Sequence, residues 1–152
     1  MPDYLESLAE RLESALSPTL AAEITTAEAQ QERADAIKSF INSEDDKIRD
    51  LHNSGLSGLT IAGFRASLID VLLQTAFRTE LGKLTPEEIN DPPHLSLIAV
   101  GGYGRAQLNP GSDLDILFLL PKSANSYAKD SATSVLIQNI LYLLWDTGFK
   151  VG

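Results

Sequence analysis

The pair Asp113 and Asp115 is the part of this 152-residue chain best equipped for chemistry. It lies in Gly-Ser-Asp-Leu-Asp-Ile-Leu-Phe-Leu-Leu, residues 111–120, where aspartates alternate with apolar residues. Strand side chains alternate between faces, so both carboxylates project from one face. Two anions held side by side repel unless something compensates, and a hard divalent cation such as Mg²⁺ is the usual compensation. Upstream, another apolar strand ends in Val100-Gly101-Gly102. A glycine turn that leads into a helix start presents backbone N–H groups to anionic oxygens. A phosphate cradle beside a metal-binding carboxylate pair is equipment for phosphoryl or nucleotidyl transfer.

Each of these signals has a plainer reading. Asn109-Pro110-Gly111-Ser112-Asp113 is good turn chemistry, so a bare Asp-x-Asp could simply open a strand. The glycine turn at a suitable distance favours the site. Gly102-x-Gly104-x-x-Gln107 has Gln where a dinucleotide fingerprint needs a third small residue, and Pro110 ends the following helix too early for a βαβ crossover. For Ser112, a turn role and a phosphate contact both stand, as do a surface and a phosphate-binding role for Arg105. Tyr103 reads as a packing residue and Trp145 as core. His52 and His94 have no partner at metal-ligand spacing and read as exposed. Arg65 and Asp70 interrupt an apolar stripe and could pair with neighbouring helices. Glu44-Asp45-Asp46 reads as a solvated patch, since a Ca²⁺ loop needs alternating ligands and a turn glycine.

The stretch from residue 97 to 121 resembles the nucleotidyltransferase superfamily that includes DNA polymerase beta. That superfamily shows an apolar residue, Gly, then Gly or Ser, a spacer and Asp-x-Asp; here these are Val100-Gly101-Gly102, residues 103–112 and Asp113-Leu114-Asp115. The wording Gly-Gly-Tyr-Gly-Arg followed by Ser-Asp-Leu-Asp is similar to the bacterial P-II uridylyltransferase/uridylyl-removing family. The resemblance implies Asp113 and Asp115 as catalytic residues holding Mg²⁺. It also implies Gly101, Gly102, Arg105 and Ser112 at the nucleotide, UTP as donor, and a tyrosine hydroxyl of the P-II signalling protein as acceptor.

The family completes its metal site with a third carboxylate on a later strand. After Asp115 the chain offers only Asp130 and Asp146, neither on such a strand, and no His-Asp hydrolase motif. The expectation is therefore an N-terminal fragment of a larger enzyme, inactive alone and prone to self-association through an open sheet edge. The alternative is a catalytically inactive nucleotide-binding or interaction module.

Composition narrows the setting. Apolar residues make up 43% and charged residues 22%, which suits a globular core. With no cysteine, disulfide and thiolate chemistry are excluded. The net charge of −9 is uneven: residues 1–90 carry 16 acids and 8 bases, residues 91–152 carry 5 and 4. Such an acidic half opposes nucleic-acid binding, which needs Lys and Arg to displace counterions. No signal-like segment opens the sequence, and Val135–Trp145 is too short to span a bilayer, so a cytoplasmic protein without membrane attachment is expected.

The elements that must position the site follow from periodicity. Helices are predicted over 3–16, ended by Ser17-Pro18, and from Thr25 or Thr26 through Ile41, breaking at 42–46 or continuing towards Leu51. Asn53–Gly58 reads as a linker, and Ile61–Leu81 as the strongest helix, stopped by Gly82. A short helix near Thr85-Pro86, a buried strand over 95–100, a short helix over 103–108 and a second buried strand over 114–120 come next. A long helix over 128–147 and a strand start at 149–151 complete the order. The result is an α+β chain: an N-terminal helical extension, 1–58, and a polymerase beta-like nucleotidyltransferase domain with a small mixed sheet, 59–152, incomplete at its C-terminus.

Overall fold

The computed structural model describes residues 7, 8, 10–15, 18, 26–87, 94–121 and 131–152. Helix α1 is Ala27–Asn53 and α2 is Gly58–Leu81; then come β1 (Ser96–Ala99), α3 (Gly101–Gly104), β2 (Ile116–Leu119) and α4 (Ala132–Asp146). The expected α+β class is found, mostly helical with a small sheet. β1 and β2 are antiparallel, with Ser96 opposite Leu119 and Ala99 opposite Ile116. A parallel bridge joins Leu114 to Val151, so the sheet is mixed and a third strand does begin where the sequence suggests.

Local chemistry sets the helix ends. Thr26, Ser57 and Ser131 cap α1, α2 and α4, each side chain accepting from the N–H three residues on. Of the two readings of residues 42–46, the continuing helix is the one formed. Ile41, Glu44 and Ile48 fall on its buried stripe, so Glu44 is 1% exposed rather than solvated. Arg11 and Lys47 donate to its carboxylate at 2.8 Å and 2.7 Å. The expected linker is a tight turn: Gly55 takes φ +107°, and the Leu56 N–H bonds to the Leu51 carbonyl. In the first predicted helix, residues 10–15 are helical and Leu8 and Leu12 fully buried. Pro18, expected to stop this helix, is itself helical, as its fixed φ permits. The expectations at 88–93 and 122–130 lie outside the described residues.

Helix α2 organises the core because it is apolar on two faces. Phe64, Leu68, Leu72 and Ala76 pack with Ile37, Ile41 and Ile48 of α1 and with Leu8 and Leu12. Ala66, Ile69 and Leu73 pack instead with Tyr103, Leu108, Leu114 and Leu136, Ile140 and Leu144 of α4. Burying each large apolar side chain contributes about 1.5–3 kcal/mol. That outweighs the roughly 1 kcal/mol cost of Gly63 inside the helix. By length and composition α2 could cross a membrane, but here it is the core helix.

The strands correct an expectation. Both were read as buried, yet exposure alternates along each. Leu97, Ala99, Ile116 and Phe118 face the helices, while Ile98, Leu117 and Leu119 are 37%, 48% and 55% exposed. Among the described residues helices cover one sheet face only, and the apolar run in the sequence does not report that. Trp145 is a second correction. It is 52% exposed and packs edge-on against Tyr142, because α4 turns Leu136, Ile140, Leu143 and Leu144 to the core and its opposite side outward.

Candidate active site

The site grows from the place where β1 ends and β2 begins. The Val100 N–H donates to the Asp115 carbonyl at 2.9 Å, prolonging the antiparallel ladder to the glycine turn. On the other side, the Leu114 N–H donates to Lys150 O at 2.7 Å and the Gly152 N–H donates to Leu114 O at 3.0 Å. Leu114, between the aspartates, is 1% exposed and belongs to the core. With Leu114 pointing inward, Asp113 and Asp115 both point to the open face, alongside Leu117 and Leu119. Asp113 is exposed and Asp115 half-buried.

Shape holds Asp115. A methyl group added at Gly101 would overlap its Oδ2, and one at Gly152 would lie 2.8 Å from its Oδ1. Its carboxylate therefore occupies a slot between two glycines. Gly101 also takes φ +59°, the left-handed region that favours glycine. Gly104 has a separate reason: a Cβ there would meet the Ala99 carbonyl at 2.5 Å, so α3 folds back directly onto β1.

Helix α3 starts and ends earlier than the predicted 103–108, because Gly101 enters the helical turn at once and Ala106 leaves it at φ +54°. Tyr103, 5% exposed, donates its hydroxyl to the Asp70 carboxylate at 2.7 Å, tying the glycine turn to α2. Burial first, then the hydrogen bond and charge of Asp70, raise the Tyr103 phenol well above its usual range, so the proton stays on the ring oxygen. The packing role expected for Tyr103 is thus realised, and Asp70 pairs with α3. Arg65 pairs across the helices with Asp45.

The remaining nominated residues scatter around this centre. Gly102 is half-buried, and its carbonyl accepts from the Arg105 and Gln107 N–H groups at 3.2 Å and 3.0 Å. Arg105 caps α3 and is exposed. Ser112 is exposed in the turn closed by its N–H to Asn109 O at 3.1 Å. His52 and His94 are exposed, as expected. Asp146 accepts from Gln30 at 2.6 Å at the end of α4, and Asp130 lies outside the described residues. Among the described residues no group of three His, Cys, Asp or Glu side chains could hold a metal. The reading of the sequence missed Gly152 and Lys150. Val151 packs into the core, Gly152 abuts the Asp115 carboxylate, and Lys150 borders a cavity with Lys38 and Arg65. No local pattern announces them; only pairing with Leu114 brings them there.

The carboxylates of exposed Asp113 and half-buried Asp115 form a hard, all-oxygen donor pair. That suits Mg²⁺, which is often bound through one or two carboxylates with water and substrate phosphates completing its shell. A cavity of about 460 Å³, lined by Asp70, Phe77, Leu97 and Ile116, lies behind the sheet on the helical side and is separate from this pair.

Comparison with known proteins identifies a domain that spans this region. Residues 82–150 match the family described as the nucleotidyltransferase domain. The chain is 38% identical over 89 residues to the bifunctional uridylyltransferase/uridylyl-removing enzyme of Cereibacter sphaeroides, covering 58% of this chain and 9% of that protein. Against the enzyme of the same name from Nitrosococcus oceani it is 33% identical over 116 residues, covering 76% and 12%. The chain thus spans about a tenth of the length of these relatives. No solved structure matches it. Residues 82–150 are thus a nucleotidyltransferase domain, and the chain is a distant homologue of the bifunctional uridylyltransferase/uridylyl-removing enzymes.

Proposed function

We propose that this chain carries the nucleotide and metal site of a uridylyltransferase, which moves a uridylyl group from UTP to a tyrosine of the P-II signalling protein. The observation that supports it most is the Asp115 carboxylate set between Gly101 and Gly152, on the same open face as Asp113. Asp113 and Asp115 hold Mg²⁺. When bound, the ion neutralises phosphate charge, improves pyrophosphate as leaving group and favours the ionised acceptor hydroxyl. The glycine turn, with the amides of Gly101 and Gly102, the Ser112 hydroxyl and the Arg105 guanidinium, binds the phosphates. The acceptor oxygen forms its bond to the α-phosphorus as the bond to pyrophosphate breaks. The catalytic unit is residues 59–152, and α1 buttresses it through the core that α1 and α2 share. A cytoplasmic setting in bacterial nitrogen signalling follows from that substrate pair, and the acidic charge argues against nucleic acid as substrate.

Calorimetry of UTP with and without Mg²⁺ tests the reading. Mg²⁺ should strengthen binding in the wild type and have no effect on Asp113→Asn or Asp115→Asn. Equal UTP affinity with and without the ion in the wild type would sink the reading. The 152-residue chain should transfer no label from UTP to P-II protein, because a third carboxylate is missing among the described residues and displacements near 1 Å can cost about a hundredfold in rate. Robust transfer would instead point to Asp130 or Asp146.

A further inference from the structure

A second cavity, of about 330 Å³, opens where β2 and the Val151 segment start, and it reaches to the residue next to Asp113. Its lining includes Lys38 and Asp45 of α1, Arg65 of α2, Ser112 and Lys150. Three cations and one carboxylate meet there in a chain whose net charge is −9. Asp45 is engaged by Arg65, whose side chain is 12% exposed. The Arg65 Nε is buried without a hydrogen-bond partner among the described residues. Neither Lys38 nor Lys150 forms an ion pair among the described residues. The buried Glu44 and Glu80 are each matched by cations; here positive charge is left over.

We infer that this cavity is an anion subsite, in which Lys38, Lys150 and Ser112, backed by Arg65, take an oxyanion carried by a substrate of the Asp113–Asp115 centre. The inference rests on the proposed function for its substrate, and on the cavity alone for its anion. Charge-assisted hydrogen bonds from ammonium groups to phosphate or carboxylate oxygens are the strong kind, and partial enclosure reduces their screening by salt. Two sources supply that chemistry: the terminal phosphates of the nucleotide, or an acidic side chain near the acceptor tyrosine.

The test uses the 152-residue chain at low ionic strength, with tripolyphosphate and tetraglutamate as probes in calorimetry without Mg²⁺. At least one probe should bind, and Lys38→Gln/Lys150→Gln should weaken that binding about tenfold. Lys38→Arg/Lys150→Arg should retain it. A control that removes the same charge elsewhere, Arg49→Gln/Arg78→Gln, should leave it unchanged. Loss for tripolyphosphate identifies the nucleotide as source, and loss for tetraglutamate identifies the acceptor. Absence of binding by both probes, or no loss in the lysine variant, overturns the subsite; so does an equal loss in the control. The proposed function fails separately. If the lysine variant loses probe binding while Mg²⁺ leaves wild-type UTP affinity unchanged, the cavity stands and the carboxylate assignment falls.

Discussion

Glu44 and Glu80 in the helical layer are 1% and 6% exposed, and each is met by donors. Arg11 and Lys47 bond Glu44, while Lys83 and Asn139 bond Glu80 at 2.8 Å, with Arg33 at 3.7 Å. Asp113 and Asp115, on the open face of the sheet, make no ion pair among the described residues. The contrast separates two uses of one functional group. A carboxylate taken into a helical core must be paired, or it costs several kcal/mol. A carboxylate kept near water can stay without a cation, provided the backbone holds it in place. The helical carboxylates serve the fold, and the sheet pair has no cation of its own among the described residues.

Five experiments would break or sharpen that comparison. Glu80→Ala should destabilise the protein by about 3 kcal/mol, since Arg33 and Asn139 lose their buried partner. Asp115→Ala should change stability by less than about 1 kcal/mol. Urea denaturation reads both, and equal losses would erase the distinction. Next, Gly101→Ala should weaken Mg²⁺-dependent UTP binding about a hundredfold, because its methyl displaces the Asp115 carboxylate. Gly152→Ala should weaken it less, its contact being looser at 2.8 Å. Calorimetry showing wild-type affinity in Gly101→Ala would mean that the glycine slot does not hold Asp115.

The third experiment uses pH. Burial alone would raise the Glu44 carboxyl, but hydrogen bonds from Arg11 and Lys47 outweigh it and hold the group below its usual value. A depressed folded-state pKa gives stability that is complete above the unfolded carboxyl's pKa and is lost as pH falls through the folded one. Acid denaturation followed by circular dichroism should therefore be shallower in Glu44→Gln. Mg²⁺ should raise the melting temperature at neutral pH in the wild type and leave Asp113→Asn/Asp115→Asn unchanged, because the proposed function assigns the ion to the sheet pair. The smallest effect belongs to Ala106, at φ +54° in the loop behind α3. Ala106→Gly should stabilise by about 1 kcal/mol in thermal unfolding, by relieving the left-handed backbone.

Reading residue types along the chain located the elements that carry the site. Alternation placed Asp113 and Asp115 on one face, and Gly101-Gly102 marked the turn opposite them. Thr26 and Gly82 marked the start of one helix and the end of another. These are local properties: φ preference, side-chain period and capping act within a few residues, so the sequence is enough to reveal them. Trp145 and Glu44 were misjudged for the opposite reason. Whether an aromatic residue or a carboxylate is buried depends on which helix lies against it, and that helix comes from elsewhere in the chain. The strands were misjudged likewise, since an apolar run does not tell how many sheet faces are covered.

By itself, then, the sequence determined the α+β class, the order of elements and the carboxylate pair with its glycine turn. Only the tertiary structure decided that Gly152 closes the slot around Asp115, that Tyr103 ties the turn to Asp70, and that Lys38, Arg65 and Lys150 border one cavity. Each of these joins segments far apart in sequence, by main-chain pairing at Leu114 or by packing on α2. Such contacts are fixed by how the layers stack, and short-range patterning does not record it.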